Sequence, residues 1–435
     1  MTKDHQNIEI SFENEMLTHF GGLYLLQQFF QNIKLRTALT QNIRFHQINN
    51  LYSISDSILS ILYPMILGLG RIETNILLQQ NGVFQYLANL PTYPDPTTLR
   101  RFLDRLGSRG LRAFQSLHDR FRSQFLMEPD PISSVIFDLD TNVITVYGQQ
   151  QGARLGFNPK KRGRPSYQPL LCFEGKTGDI WEGTYLSGNA NPVPHTIPLL
   201  EKSLSKLPSG IRDVRVRADA AFYDHGVAQY IEAIPGSYAI VAKIAKPIRG
   251  YFGSLSYEEV FPQTWLGEFE YKPIRWKRTQ RFIVVRRLIP EKPSWQLSLF
   301  RMAGYTYHVI VTNLPLKPLN LWRFYNQRAR TELIIRELKY AYALGKIPTS
   351  DFQANEAFFQ IVLLAYNLLN WFKRLCVPPH LQRATLQRLR QRLFVVPAHL
   401  LRPGGVPTLR LAPSYPWASD FVETLRRIRR LRQPF

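Results

Sequence analysis

The sequence predicts a mixed α/β protein: a helical N-terminal region, then an α/β core interrupted by a β-rich insertion. Three observations predict it. Apolar residues recur at helical spacing up to about residue 130. Short apolar strands then alternate with helical segments between 135 and 244. Residues 248–315 alternate aromatic, apolar and charged residues before two long helical runs.

In the first region Leu23, Leu26, Phe29 and Phe30, and again Ile58, Ile61 and Leu62, mark apolar helix faces. Asp95-Pro96-Thr97-Thr98 reads as a helix start, with Asp95 capping free N–H groups and Pro96 at the first helical position. Arg100, Arg101 and Arg105 follow on or near one face, placed to meet phosphates or to form an ordinary solvated face. Residues 135–140 form a strand that ends in carboxylates, 143–147 a second strand close enough for a hairpin, and 167–173 a third. A helix at 195–207, a strand at 213–217, a short helix at 227–233 and a strand at 237–244 complete the alternation. One long helix is expected from 319 to about 342, and an apolar one over 355–374. The domain plan is therefore a helical DNA-binding domain at 1–130, the first part of the core at 131–247, the β-rich insertion at 248–315, core helices at 316–378 and an arginine-rich region at 379–435.

Composition narrows the function. The chain has 435 residues and 45% hydrophobic content, so it can bury sizeable cores and is not a disordered chain. Its net charge of +23 points to an anionic polymer as partner, and nucleic acid is the commonest one. Residues 380–435 alone hold eleven arginines against Asp420 and Glu423, a composition expected to be solvated and to meet nucleic acid. Cys172 and Cys376 are the two cysteines and form no CxxC pair. That argues against a disulfide framework or cysteine zinc site and fits a reducing cytoplasm. Residues 1–9 are polar, so no signal peptide is expected. The apolar stretches at 58–69 and 357–372 are broken by Pro64 and by Gln360, Asn367 and Asn370, and read as buried helices rather than membrane spans.

Phosphoryl transfer on DNA with two metals needs carboxylates, because two divalent ions about 3.5–4 Å apart clamp the attacking and leaving oxygens. Mg²⁺ takes hard oxygen ligands and keeps several waters, so three carboxylates suffice. Asp138 and Asp140 sit two apart on the first strand and point to one face. Asp219 ends the next core strand, and Glu332 or Glu337 qualifies on the helix after the insertion. Spacing favours Glu332: Tyr325, Arg328, Glu332 and Lys339 are three, four and seven residues apart and would line one helical face. The bland alternative for Arg328 and Glu332 is an i, i+4 salt bridge on a solvated helix.

Tyr325-x2-Arg328-x3-Glu332-x6-Lys339 resembles the Y-R-E-K signature of IS4-type bacterial DDE transposases. Asp140-Thr141 after an apolar strand resembles the first catalytic aspartate of that family, and Arg217-Ala218-Asp219-Ala220-Ala221-Phe222 the second. Gly148-Gln149-Gln150-Gln151-Gly152-Ala153, Gly156-Phe157-Asn158-Pro159-Lys160-Lys161, Pro165-Ser166-Tyr167 with Pro169-Leu170-Leu171, and Leu363-Leu364-Ala365-Tyr366-Asn367-Leu368 resemble the IS1380-like branch in particular. The resemblance implies a ribonuclease-H-like fold with a β insertion between the second Asp and the Glu. It implies Asp140, Asp219 and Glu332 as catalytic ligands of two Mg²⁺ ions, with Mn²⁺ able to substitute and Asp138 the alternative to Asp140. Tyr325, Arg328 and Lys339 would position the DNA backbone. The partners would be double-stranded DNA, as terminal inverted repeats and target, and a second copy of the chain on paired ends, with no membrane. The location would be a prokaryotic cytoplasm, on the nucleoid. An inactive DNA-binding descendant and a nuclease that cuts without joining are the rival readings.

Lys160-Lys161-Arg162-Gly163-Arg164-Pro165 is a basic run with an AT-hook-like core. A loop that touches phosphate is favoured over one that reads a narrow minor groove. Trp265, Trp276 and Trp295 lie in the insertion, where core packing is favoured over stacking on an unpaired base.

Overall fold

The computed structural model describes residues 16–45, 51–129, 131–289, 301–302 and 304–431. The chain opens with β1 (Leu17–Thr18), α1 (Leu23–Asn32), α2 (Leu35–Asn42), α3 (Ile54–Leu67), α4 (Ile76–Gln79), α5 (Gly82–Ala88) and α6 (Pro96–Leu126). The expected start of α6 is present: the Asp95 side chain accepts the Thr97 N–H at 2.7 Å, and Pro96 follows it. Gly107, at φ 55° and ψ −178°, breaks α6 into two helical pieces. Helix α3 is buried nearly all round, and Asp56 in its first turn is partnered by Arg36 and by the Ser53 cap. Among the described residues no single helix is long and apolar enough to cross a membrane. Only α3 taken with the segment 72–79, bent by 99°, reaches that length.

The core follows: β2 (Ser134–Thr141), β3 (Ile144–Thr145), β4 (Ser166–Tyr167), β5 (Leu170–Glu174), β6 (Ile180–Thr184), α7 (Val193–Leu204), β7 (Asp213–Ala218), α8 (His225–Ala233) and β8 (Ser237–Val241). After α9 (Lys246–Gly250) come β9 (Glu258–Phe261), β10 (Thr264–Tyr271), β11 (Gln280–Leu288), β12 (Arg301–Met302) and β13 (Tyr305–Thr312). These strands build one ten-stranded sheet in the order β6-β5-β2-β7-β8-β13-β11-β10-β9, with β12 beside β13. β6, β5 and β2 are antiparallel neighbours, β2, β7 and β8 run parallel, and the insertion continues the sheet because β13 pairs antiparallel with β8.

The expected order of three strands, helix, strand, helix, strand is present, but its members differ. The segment 143–147 does not return along β2. Its short β3 pairs with β4 in a separate ribbon, and β2 pairs with β5 instead. Between β4 and β5 stands Gln168-Pro169, where proline lacks the N–H a ladder needs. The third core strand is β6, whose buried Glu182 hid it from an apolar count.

The chain closes with α10 (Pro318–Asn326), α11 (Ala329–Ala341), α12 (Phe352–Cys376), α13 (Leu386–Leu389), β14 (Ala398–Leu401), β15 (Thr408–Leu411) and α14 (Ala418–Arg430). One core joins the N-terminal helices, α11, α12 and this C-terminal segment. Phe29 meets Phe372 at 5.4 Å between ring centroids, Trp371 stacks on Phe125 at 4.5 Å, and Phe372 meets Phe394 at 5.8 Å. The reading of residues 379–435 as a solvated basic region is corrected accordingly. Leu386, Leu389, Leu393, Phe394 and Ile428 are buried, and Arg390 donates to the carbonyls of Met65, Ile66 and Ala341. The arginines of α14 do project outward, since its apolar residues recur at helical spacing: Phe421, Thr424 and Ile428 face in while Arg426, Arg429 and Arg430 are exposed.

Candidate active site

Pairing of β2 with β7 sets the site. Asp138 lies beside Arg217 and Leu139 beside Ala218, so the next residue of each parallel strand brings Asp140 and Asp219 together at the strands' C-terminal ends, in the middle of the sheet. Asp219 directly follows β7, and its Oδ1 accepts the Ala221 N–H at 2.9 Å, which closes the turn over residues 220–222. Asp140 Oδ1 accepts the Thr141 N–H at 2.8 Å. The third carboxylate, Glu332, stands in the first turn of α11.

A single helix from 319 to 342 is not what carries it. The chain breaks between α10 and α11, where Arg328 N–H bonds Tyr325 O at 3.0 Å and Thr331 N–H bonds Arg328 O at 2.8 Å, tighter turns than an α-helix makes. Gln327 and Arg328 keep right-handed helical backbone across this turn, so the signature residues stay on the side of Asp140 and differ mainly in depth. Tyr325 ends the first helix and is only 9% exposed, packed on His308 at 5.5 Å between ring centroids. Arg328 is buried at the break, whereas the Glu332 side chain is 71% exposed. Lys339, two turns on from Glu332, is half-buried.

Arg328, at this turn, reaches the acids. Its Nη2 donates to Leu139 O at 2.9 Å and lies 3.0 Å from Asp140 Oδ2, and Nη1 lies 4.0 Å from Glu332 Oε1. Burial pushes the Asp140 carboxyl up to about 6; Arg328 opposes that rise, while the negative charges of Asp219 and Glu332 add to it. Tyr325 is pushed up to about 12, chiefly by burial, and senses the same three carboxylates. Lys339 is held below the ordinary lysine value by burial and by nearby Lys160, against the pull of Asp140. Asp140, Asp219, Glu332, Tyr325, Arg328, Lys339 and Lys160 are thus one electrostatic cluster. Among the described residues no three His, Cys, Asp or Glu side chains are gathered closely enough to hold a metal ion. The donor set nonetheless suits a hard divalent cation, because a carboxyl raised by burial and by like charges is relieved by added positive charge.

Asp138 and Asp140 share a strand face but not a fate. Asp138 is 2% exposed and accepts Arg217 Nε at 2.6 Å on Oδ1 and Nη2 at 2.7 Å on Oδ2. Arg217, fully buried, also donates from Nη1 to Phe324 O at 2.6 Å, and Thr331 donates to Asp138 Oδ2 at 3.3 Å. A Cβ on Gly175 would lie 2.6 Å from Arg217 Nη2 and 3.0 Å from Asp138 Oδ2, so glycine leaves the pair its room. This network ties together β2, β7 and both sides of the helix break, the elements that carry Asp140, Asp219 and Glu332. Sequence reasoning gave Arg217 no such part. The signal was its place in period two with Arg215 and Asp219.

The remaining candidates are dispersed. Lys160, Lys161, Arg162 and Arg164 are exposed in the loop between β3 and β4, turned by Gly163 at φ +74°. That loop is anchored at its other end, where Gln151 N–H bonds Ser350 O at 2.8 Å and Phe352 N–H bonds Gln151 Oε1 at 3.1 Å. Arg100 is engaged by Pro348 O at 3.0 Å and by Glu73, whereas Arg101 is exposed on α6. Trp276 is buried against Tyr223, and Trp265 meets Tyr305 edge-on beside Arg286. Trp295 lies outside the described residues.

A family model described as Transposase DDE domain group 1 matches residues 1–433. No curated protein matches the chain. Among solved structures the chain is similar to the piggyBac transposase in its synaptic complex with hairpin DNA, determined by cryo-EM. The identity is 11% and the TM-score 0.47, over 88% of this chain and 82% of that one.

Proposed function

We propose that this chain, which belongs to the Transposase DDE domain group 1 family, excises and integrates a DNA transposon by hydrolysing phosphodiesters at its ends and joining the freed 3′ ends to target DNA. The observation that carries the reading is the convergence of Asp140 and Asp219 at the ends of neighbouring parallel strands, with Glu332 and Arg328 beside them. The strand order β6-β5-β2-β7-β8, antiparallel then parallel, supports a ribonuclease-H-like core. The Tyr325, Arg328, Glu332 and Lys339 spacing supports an IS4-type, IS1380-like placement.

Asp140, Asp219 and Glu332 would hold two Mg²⁺ ions, or Mn²⁺ in their place, which when bound supply Lewis acidity to the attacking and leaving oxygens. Arg328 and Lys339 would bear on the phosphates flanking the cut, with the Tyr325 hydroxyl beneath them. The exposed cations Lys160, Lys161, Arg162, Arg164 and Arg101 would follow the duplex further out. Arg100, tied to Glu73 and Pro348, would orient α6 rather than reach far from it. Both ends must be held at once, so the working unit would be a homodimer on paired ends, on the nucleoid of a prokaryotic cytoplasm.

Incubating the protein with Mg²⁺, DNA bearing the flanking inverted repeats and a target plasmid tests this. Joined products support a transposase. Cut but unjoined ends indicate a nuclease without strand transfer, and binding without cutting an inactive DNA-binding descendant.

A further inference from the structure

Helix α11 separates two surfaces. Glu332 and Lys339 lie on the catalytic side, and Leu333, Arg336, Glu337 and Tyr340 face a groove of about 890 Å³ closed by α12 and the segment at 382–387. That volume is within the usual range of ligand pockets. Its charge is one-sided. Arg336 and Arg383 are exposed and make no ion pair among the described residues, and Lys373 lies deeper, 8% exposed. Among the described residues the Lys373 ammonium makes one long hydrogen bond, 3.4 Å to Ala384 O, for its three donors. Glu337, the one carboxylate lining the groove among the described residues, is already engaged by the Leu386 N–H at 2.6 Å. At the rim Tyr340 is 81% exposed and Leu333 54% exposed, large apolar surfaces that the fold leaves uncovered.

We propose that this groove binds single-stranded nucleic acid, with phosphates on Arg336, Arg383 and Lys373 and a base stacked on Tyr340. A cation-lined channel with an exposed ring at its edge is the arrangement by which unpaired strands are held without sequence preference. A duplex keeps its bases inside the stack and cannot offer one to Tyr340. Glu332 and Leu333 are neighbours on α11 but about 100° apart around it, so the groove flanks the carboxylates and is not lined by them. The proposal rests on charge and shape alone and is independent of the cutting chemistry.

The test is fluorescence anisotropy of the full chain with a labelled oligothymidylate and, separately, a labelled duplex, both in EDTA so that catalysis plays no part. Tyr340→Ala removes an exposed ring, and unchanged thermal melting confirms the fold. Single-strand affinity should fall about 5- to 150-fold, the range set by stacking of one base. Tyr340→Phe should bind as the parent does, and duplex affinity should not change in either variant. Arg336→Ala with Arg383→Ala should lower the slope of log affinity against log salt for the single strand by about 1.4, at about 0.7 per phosphate contact. Unchanged single-strand affinity in Tyr340→Ala overturns the proposal, as does an equal loss on duplex. So does a loss of self-association in DNA-free Tyr340→Ala with DNA binding intact, which would make the groove a contact between copies of the chain.

Discussion

Replacing Asp138 with alanine separates the two carboxylates of β2 by energy as well as by activity. The substitution removes both carboxylate acceptors of a fully buried guanidinium, at 2.6 and 2.7 Å, together with the Thr331 hydrogen bond at 3.3 Å. Arg217 keeps Phe324 O and a 3.4 Å contact to Gln327 Oε1, both neutral acceptors. Breaking one side of a buried ion pair leaves an uncompensated charge and costs about 3–5 kcal/mol. At roughly 2–4 °C per kcal/mol for a unit of a few hundred residues, the melting temperature should fall on the order of 10 °C. Asp138→Ala with Arg217→Met should recover most of that loss, because removing both charges is often neutral. Cleavage per folded molecule should persist in Asp138→Ala and vanish in Asp140→Ala, read by scanning calorimetry alongside a gel assay on end-containing DNA. An Asp138→Ala protein that melts like the parent yet cannot cut would refute the reasoning and make Asp138 the ligand.

Glu332→Gln should reduce cleavage and strand transfer by orders of magnitude. It should cost no more than about 0.5 kcal/mol of stability, because the side chain is 71% exposed and its pairing with Arg328 is long at 4.0 Å. Normal joining by that variant would remove Glu332 from the catalytic set. Duplex affinity should fall linearly in log–log terms as salt rises, since Arg101, the loop at 160–164 and α14 present unpaired or weakly paired cations; a flat response would deny them a DNA-binding part. Burial raises the Glu182 carboxyl, but Arg122, Lys202 and Lys206 together outweigh that and hold it at about 2, below its ordinary 4.5. Its folded-state value being depressed, the stability it brings is present above pH 4.5 and lost as pH falls toward 2. Glu182→Gln should therefore be less stable at neutral pH and show a shallower loss over that window in pH-dependent melting.

The fold was legible where one residue pattern dictates one structure. Short apolar strands ending in acids gave β2 and β7, and a proline behind a capping aspartate gave the start of α6, because each is decided within a few residues. What was misread depends on partners far away in sequence. The segment at 143–147 has the pattern of a strand, but whether it pairs with β2 or with β4 is decided by Pro169 and by where β5 lies. The arginines after residue 380 look solvated until Leu386, Leu393, Phe394 and Ile428 are seen to complete the core of the N-terminal helices.

The site follows the same division. Asp140, Asp219 and Glu332 could be chosen by type and element, and helical spacing put Tyr325, Arg328 and Lys339 on the side of Glu332 without saying how deep each lies. Tyr325 and Arg328 are buried against partners distant in sequence, His308 and Leu139, while Glu332 stays exposed. What makes the break between α10 and α11 tolerable is the buried guanidinium of Arg217, which meets Phe324 O and the Gln327 side chain at the end of α10 and, through Asp138, Thr331 at the start of α11. The residues two places before each aspartate and one before the glutamate are therefore bonded to one another, Asp138 to Arg217 and Asp138 to Thr331. A shift of any one of the three elements must strain that buried network, so the relative placement of the three carboxylates is set from beneath, by residues that need touch neither DNA nor metal.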